Sequence, residues 1–108
     1  MGEMVEAEKL SLLEQINYQS GSVVSKSLLA KKTGNITLFA FDKGEGLSEH
    51  TAPFDAFVHI LDGVADISIS ERKYLLKSGE VILMPANEPH SLKAIEPFKM
   101  LLIMIKSE

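Results

Sequence analysis

Short apolar runs alternate with turn residues along most of the chain. Residues 65–70 alternate strictly between apolar and polar side chains, which indicates a β-strand with one buried and one solvated face. Eight such runs are predicted strands, at residues 22–30, 36–41, 56–61, 65–70, 73–76, 81–84, 90–95 and 98–105. Strands this short, separated by Gly, Pro, Asn and Asp at even spacing, predict an all-β, antiparallel sandwich or barrel.

Two segments depart from simple alternation. Residues 100–105 are apolar at every position, so both faces of that strand should be covered, one by the core and one by a second subunit or a packed segment. Together with the apolar residues within 22–30, this predicts a homodimer. At the N-terminus, Leu10, Leu13 and Ile16 fit a short amphipathic helix, while a docked or swapped extended arm stays open. We therefore divide the chain into an arm or short helix at 1–21 and one β-barrel domain at 22–108.

The composition limits the function classes. A chain of 108 residues with 45% apolar and 24% charged residues makes one globular domain. The net charge of −4 and the scattered basic residues argue against nucleic-acid binding. The absence of a long apolar run or signal-peptide pattern argues against a membrane protein and favours a cytoplasmic location. Without cysteine, a metal ion must be held by histidine, carboxylate or water.

The most informative segment runs from Gly79 through a short apolar strand to Pro85, Pro89 and His90. Each proline fixes its own φ and restricts the residue before it, so the chain follows one narrow path around this corner. His90 is thereby held on a rigid frame beside apolar side chains. That is what a metal site or a binding pocket requires of an imidazole.

A second set of positions lies upstream, at Gly46, at His50 and at the Asp62-Gly63 pair, which predicts a tight hairpin turn. Together with the segment around His90, these positions resemble the two sequence motifs of the cupin superfamily of small β-barrels. The second motif is matched by Gly79, residues 81–84, Pro85 and His90. In the first motif Gly46, His50 and Gly63 match, but Ala52 stands at the usual second histidine and Ala56 at the usual glutamate.

The resemblance implies a jelly-roll barrel and a divalent metal, Zn, Mn, Fe or Ni, with two of the four usual ligands present, His50 and His90. We expect these two imidazoles to face one cavity. His59 could supply a third, but it lies on the opposite strand face from Ala56 unless a bulge at 53–56 changes the alternation. No helix follows the glycines at 44 and 46, so no nucleotide cofactor is predicted.

Three functions stay open from these residues. The first is a cupin-fold protein that binds a small molecule, with a weakly bound divalent metal in the barrel. The second is a metal-dependent enzyme of the dioxygenase or isomerase type, with a histidine-based centre of His50, His90 and either His59 or water. The third is a structural barrel filled by its own side chains. No catalytic residue can be assigned.

Overall fold

The computed structural model describes Met4 and residues 7–106, which form two antiparallel β-sheets packed face to face. The first sheet has the strand order β1-β2-β9-β4-β7 and the second β3-β8-β5-β6. The strands are β1 (Val23–Lys31), β2 (Gly34–Phe41), β3 (Gly46–His50), β4 (Phe54–Asp62), β5 (Val64–Ile69), β6 (Arg72–Lys77), β7 (Val81–Met84), β8 (His90–Ala94) and β9 (Phe98–Lys106). The predicted all-β antiparallel class is confirmed, with the sheets stacked rather than closed into one hydrogen-bonded ring.

Eight of the nine strands coincide with predicted ones, and β3 was not among the predicted strands. Its sequence, Gly-Leu-Ser-Glu-His, is short and mostly polar, and only Leu47 reaches the core. β3 lies at the edge of the second sheet and pairs with β8 alone. Its backbone pairing with β8 therefore stabilises a strand that its side chains do not specify.

The core lies between the two sheets, and inward positions follow the period of two along each strand. On β4, Ala56, Val58 and Ile60 are buried, while the alternate positions face outward. The rings of Phe41 and Phe98 stack with their centroids 4.4 Å apart at the centre of this cluster. Apolar burial on this scale supplies the main driving force for the fold.

Gly63 is the corner at which the chain passes from the first sheet to the second. The predicted Asp-Gly hairpin is therefore wrong, because the strands on either side of Gly63 do not pair with each other. Asp62, at the end of β4, pairs with Lys99 on β9, whereas Val64, at the start of β5, pairs with Lys77 on β6. Gly63 has φ = 84°, and a Cβ there would lie 1.8 Å from the Pro97 carbonyl oxygen. Only glycine accommodates both the conformation and the close approach.

The two-residue hairpin turn lies instead between β5 and β6. Its central residues, Ser70 and Glu71, have φ of 48° and 72°. These values are the left-handed conformation that a type I′ turn requires, although neither residue is glycine or asparagine. Residue type alone therefore did not mark this turn as the tight one.

The N-terminal segment packs on the outer face of the first sheet. Among its described residues the secondary structure is one 3-10 turn, Leu12–Glu14, rather than the amphipathic helix that was one of the two alternatives. Ile16 is buried there, whereas Leu13, expected on the apolar face, is 49% exposed. The covering cluster also contains Leu10, Leu12, Tyr18, Val24, Leu28, Ile36, Leu38, Ala40, Leu61 and Leu101.

Polar contacts hold this segment in place. The Tyr18 hydroxyl donates to Asp62 at 2.6 Å, and Lys99 Nζ donates to the Leu13 carbonyl at 2.9 Å. The segment thus covers part of the outer face of β9, as the continuous apolar run predicted. The division of the chain at residue 21 stays a prediction. The N-terminal part begins, and the barrel domain ends, outside the described residues. Across Met4 and residues 7–106, no helix is long and apolar enough to cross a membrane.

Candidate metal-binding site

His50 and His90 meet at the end of the second sheet, where β3 ends and β8 begins. The two residues are register partners, and their ring centroids lie 4.3 Å apart at an interplanar angle of 70°. The Nε2 atoms face each other at 3.1 Å. His90 is buried, at 7% exposure, whereas His50 is open to solvent. The structure thus brings the two imidazoles together.

A β-bulge in β3 brings His50 to this position. Leu47 pairs with Leu92, but three residues later His50 pairs with His90, which is only two residues before Leu92. The extra residue in β3 reverses the alternation, so His50 joins Leu47 on the side that His90 also faces. Without the bulge, Glu49 would take that position.

The turn before β8 fixes His90. Asn87 has φ = 68°, a left-handed conformation that asparagine adopts more readily than most residues, and its N–H donates to the Ala52 carbonyl at 2.8 Å. The neighbouring Ala86 N–H donates to Asp55 Oδ1 at 2.9 Å. Two backbone donors of the proline-bounded turn are therefore satisfied by the chain just before β4 and within it.

Backbone carbonyls determine the tautomers of both rings. His50 Nδ1 lies 2.8 Å from the Ser48 carbonyl oxygen, and His90 Nδ1 lies 3.1 Å from that of Glu88. A carbonyl oxygen only accepts, so each Nδ1 carries the hydrogen and donates it. In the neutral rings both Nε2 atoms are therefore acceptors, 3.1 Å apart, and a hydrogen bond between them requires one additional proton.

The donor set is compatible with a divalent cation in place of that proton. Metal–imidazole bonds of about 2.0–2.1 Å separate two adjacent ligand nitrogens by roughly 2.8–3.4 Å, from octahedral to tetrahedral coordination. The observed 3.1 Å lies in this range. The Nδ1–H to carbonyl bonds are also the outer contacts that commonly orient metal-bound histidines.

The electrostatic environment favours the neutral, metal-binding form of His90. Burial lowers the pKa of His90, the hydrogen bond to Glu88 partly offsets this effect, and the nearby His50 lowers the pKa further. Neutral imidazole is the form that binds a metal ion. Near neutral pH, His90 is therefore available as a ligand without losing a proton.

Two alanines occupy the remaining motif positions. Ala56 is buried in the core cluster, where its register partners are Met84 on β7 and Met104 on β9. Ala52 lies in the loop before β4, its carbonyl held by Asn87. No group of three or more His, Asp or Glu side chains among residues 7–106 and Met4 is placed to hold a metal ion. The donor set at His50 and His90 is thus limited to two protein nitrogens.

The structure does not bring His59 to this site. His59 alternates with the buried Val58 and Ile60 and therefore faces outward from the first sheet. The irregularity in β4 lies between Ile60 and Asp62, after His59, rather than at residues 53–56. Because no bulge precedes it, His59 keeps the outward orientation, and its assignment as a third ligand is corrected.

Ser48, Ser70 and Glu88 support the histidine pair and were not identified from the sequence. Ser48 and Glu88 supply the backbone carbonyls that orient the two imidazole rings. Ser70 donates its hydroxyl to the Glu88 carboxylate, and its N–H donates to the Pro89 carbonyl at 2.9 Å. The position of Glu88 two residues before His90 was a usable signal, but the approach of Ser70 depends on tertiary structure.

Comparison with known proteins identifies the family. The family model described as "Cupin domain" matches residues 37–105. A conserved protein of unknown function from Streptococcus pyogenes is 36% identical, with a TM-score of 0.92, covering 99% of this chain and 94% of that one. A cupin superfamily protein from Desulfitobacterium hafniense is 30% identical, with a TM-score of 0.90, covering 97% and 96%.

A third similar structure comes from a longer protein. The cupin 2 conserved barrel domain protein from Leptotrichia buccalis is 43% identical, with a TM-score of 0.87. The match covers 90% of this chain and 47% of that one. A search of curated proteins gave no match. The motif residues, the two stacked sheets and these similarities agree, and the chain belongs to the cupin superfamily.

Proposed function

We propose that this cupin binds a small molecule in the barrel beside a weakly held divalent metal ion, with His50 and His90 as its protein ligands. The observation that carries the proposal is the pair of Nε2 atoms 3.1 Å apart, both left as acceptors by Nδ1–H donation to carbonyls. Two acceptor nitrogens this close together suit a cation. The metal would be Zn, Mn, Fe or Ni, all of which accept imidazole nitrogen.

The shortage of protein ligands supports weak, exchangeable binding. Two nitrogens occupy two positions of an octahedral shell, and water or a ligand would fill the others. A bound ion would compete with the additional proton that the two Nε2 atoms can share, so affinity should fall with acid. Such an ion contributes little to folding, because the core consists of apolar side chains that do not depend on it.

The small-molecule part of the proposal is based on the two alanines. A methyl group at Ala56, among the methionine side chains of β7 and β9, replaces a carboxylate that would make the interior polar. The ligand class that suits this surrounding carries an oxygen donor for the metal and an apolar or weakly polar body. Open coordination positions on the ion would admit a bidentate oxygen ligand.

Calorimetric titration with zinc, manganese and iron(II) tests the metal site. We expect micromolar or weaker affinity, a loss of at least tenfold in His50→Ala and in His90→Ala, and no change in the control His59→Ala. The same titration of the zinc-loaded protein with acetohydroxamate, a small bidentate oxygen ligand, tests the open positions and should give binding only where zinc is retained.

Two outcomes would contradict the assignment. Nanomolar zinc affinity that survives His90→Ala would place the metal elsewhere. Unfolding on addition of EDTA, measured by circular dichroism, would make the metal a structural element rather than an exchangeable one. We expect EDTA to remove bound zinc and to leave the thermal unfolding midpoint of the protein unchanged within error.

A further inference from the structure

Two polar side chains on β2 face the space between the sheets. Ile36 and Leu38 belong to the cluster under the N-terminal segment, on the outer face of the first sheet, whereas Phe39 belongs to the central core. Because side chains alternate along a strand, Asn35 and Thr37 point inward like Phe39. Both are half-buried. The inward positions of β4, β7 and residues 98–104 of β9 are apolar, so these two polar residues, which we call the polar pair, stand out on this wall.

The strand register connects the polar pair to the position of the motif glutamate. Asn35 pairs with Met104, Met104 pairs with Ala56, and Ala56 pairs with Met84. All four side chains face inward and form one row across the first sheet. An apolar surface of two methionines and a methyl group therefore leads away from the Asn35 amide.

The polar pair lies across the barrel from the histidines. Short connections join β2 to β3, β4 to β5, β6 to β7 and β8 to β9, so the two sheets stack in the same strand order, with β2 facing β3. Thr37 lies five residues before the connection at 42–45, and His50 lies five residues after it. The two residues are thus at similar heights on walls that are roughly 10 Å apart. Asn35 lies one step nearer the open end.

The polar pair has unused hydrogen-bonding capacity. The Thr37 hydroxyl donates to Asn35 Oδ1 at 3.4 Å, which is long for a bond between two oxygen atoms. This contact directs the Asn35 Nδ2 group, with its two N–H donors, away from Thr37. Within residues 7–106, no hydrogen bond involves that nitrogen. A half-buried donor of this kind suits an acceptor oxygen on a bound molecule.

We infer that Asn35 is the second contact point for the ligand of the barrel, donating its amide N–H to a carbonyl oxygen, and that Thr37 holds the amide in this orientation. The ligand class is then a short keto or amido acid. Its carboxylate lies at His50 and His90, and its apolar chain lies against Met104. The inference rests on the proposed function for the histidine end, whereas the selection of a carbonyl is assigned to the polar pair alone.

Two ligands of nearly equal shape test this selection. Levulinate and 4-methylpentanoate carry the same carboxylate and chain, but a methyl group in the second replaces the ketone oxygen of the first. In an NMR titration of the zinc-loaded protein, levulinate should bind about fivefold more tightly, the effect of one net hydrogen bond. The side-chain amide signals of Asn35 should shift with levulinate and stay in place with 4-methylpentanoate.

Variants of the polar pair test the assignment of each residue. Asn35→Leu should abolish the preference for levulinate, and Thr37→Val should reduce it. Thr37→Ser keeps the hydroxyl and should retain the preference. The matched control is Thr33→Val, at an exposed threonine in the turn between β1 and β2, which should behave as wild type.

A zinc titration separates this inference from the proposed function. Asn35→Leu and Thr37→Val should leave zinc affinity unchanged, since neither residue belongs to the histidine pair. Absence of zinc binding in the wild type would contradict the proposed metal site, and the two ligands are then compared on the protein without zinc. Equal affinity for levulinate and 4-methylpentanoate in the wild type, with and without zinc, would overturn the inference. A preference for levulinate that survives Asn35→Leu would overturn it as well.

Discussion

The Ser70 hydroxyl donates to the carboxylate of Glu88, and this contact joins the turn between β5 and β6 to the turn that carries His90. Glu88 also accepts the His90 Nδ1–H through its backbone carbonyl. Ser70 itself lies in a left-handed conformation, as does Asn87 in the second turn. Strained backbone of this kind persists where surrounding contacts hold it, and here both turns adjoin the histidine pair.

We predict that Ser70→Ala lowers zinc affinity about tenfold, the lower end of the effect seen when groups supporting metal ligands are removed. The substitution releases the Glu88 side chain, and with it one restraint on the carbonyl that orients His90. Ser68→Ala, on β5 beside the same turn, is the matched control and should leave zinc affinity unchanged. Equal affinities for all three proteins by calorimetry would show that Ser70 does not position the site.

Stability should decrease in mild acid because of His90. Its pKa in the folded protein is below the ordinary 6.5, so between these two values the unfolded chain binds more protons than the folded one. The free energy of unfolding contributed by His90 is therefore fully present above about pH 6.5 and is lost as the pH falls through the folded pKa. Urea unfolding from pH 8 to pH 5 should show this decrease in the wild type and in His59→Gln, and less of it in His90→Gln.

Gly63→Ala should destabilise the protein by about 3 kcal/mol or more, since strain and a backbone clash add at one position. The new methyl group would collide with the Pro97 carbonyl oxygen at the corner between the sheets. Gly44→Ala is a suitable control, because Gly44 has a similar φ of 83° but no atom within 4 Å of the added carbon. The control should cost only about 1 kcal/mol, the price of the left-handed conformation. Similar urea midpoints for the two variants would contradict the steric argument.

Tyr18→Phe should weaken the docking of the N-terminal segment by about 1 kcal/mol, the usual net value of a hydrogen bond. The variant keeps the ring, over which Lys99 Nζ lies 5.2 Å from the centroid, and removes the bond to Asp62. Tyr74→Phe, on β6, is the control. Burial and Asp62 both raise the pKa of Tyr18, so the contribution should be present below about pH 10 and lost in stronger alkali. An unchanged urea midpoint for Tyr18→Phe would show that the hydrogen bond to Asp62 does not contribute to stability.

The sequence by itself determined most of the strands and one histidine of the site. Alternation and turn residues are local properties, so eight strands could be located from them. His90 was identifiable because Pro85 and Pro89 act on the adjacent backbone, whatever the rest of the chain does. The outward orientation of His59 also followed from counting along β4, and the structure has no bulge before it to change that count.

Tertiary structure decided the features that depend on pairing between distant segments. β3 is too polar to be recognised alone and exists because β8 lies beside it. The bulge that turns His50 toward His90 appears only in that pairing, as does the contact of Ser70 with Glu88. Asp62-Gly63 has the composition of a hairpin turn, but the packing of Gly63 against Pro97 makes it a passage between sheets. Local sequence restricts backbone conformation, whereas the partner of each strand and the direction of each site residue result from burial across the whole chain.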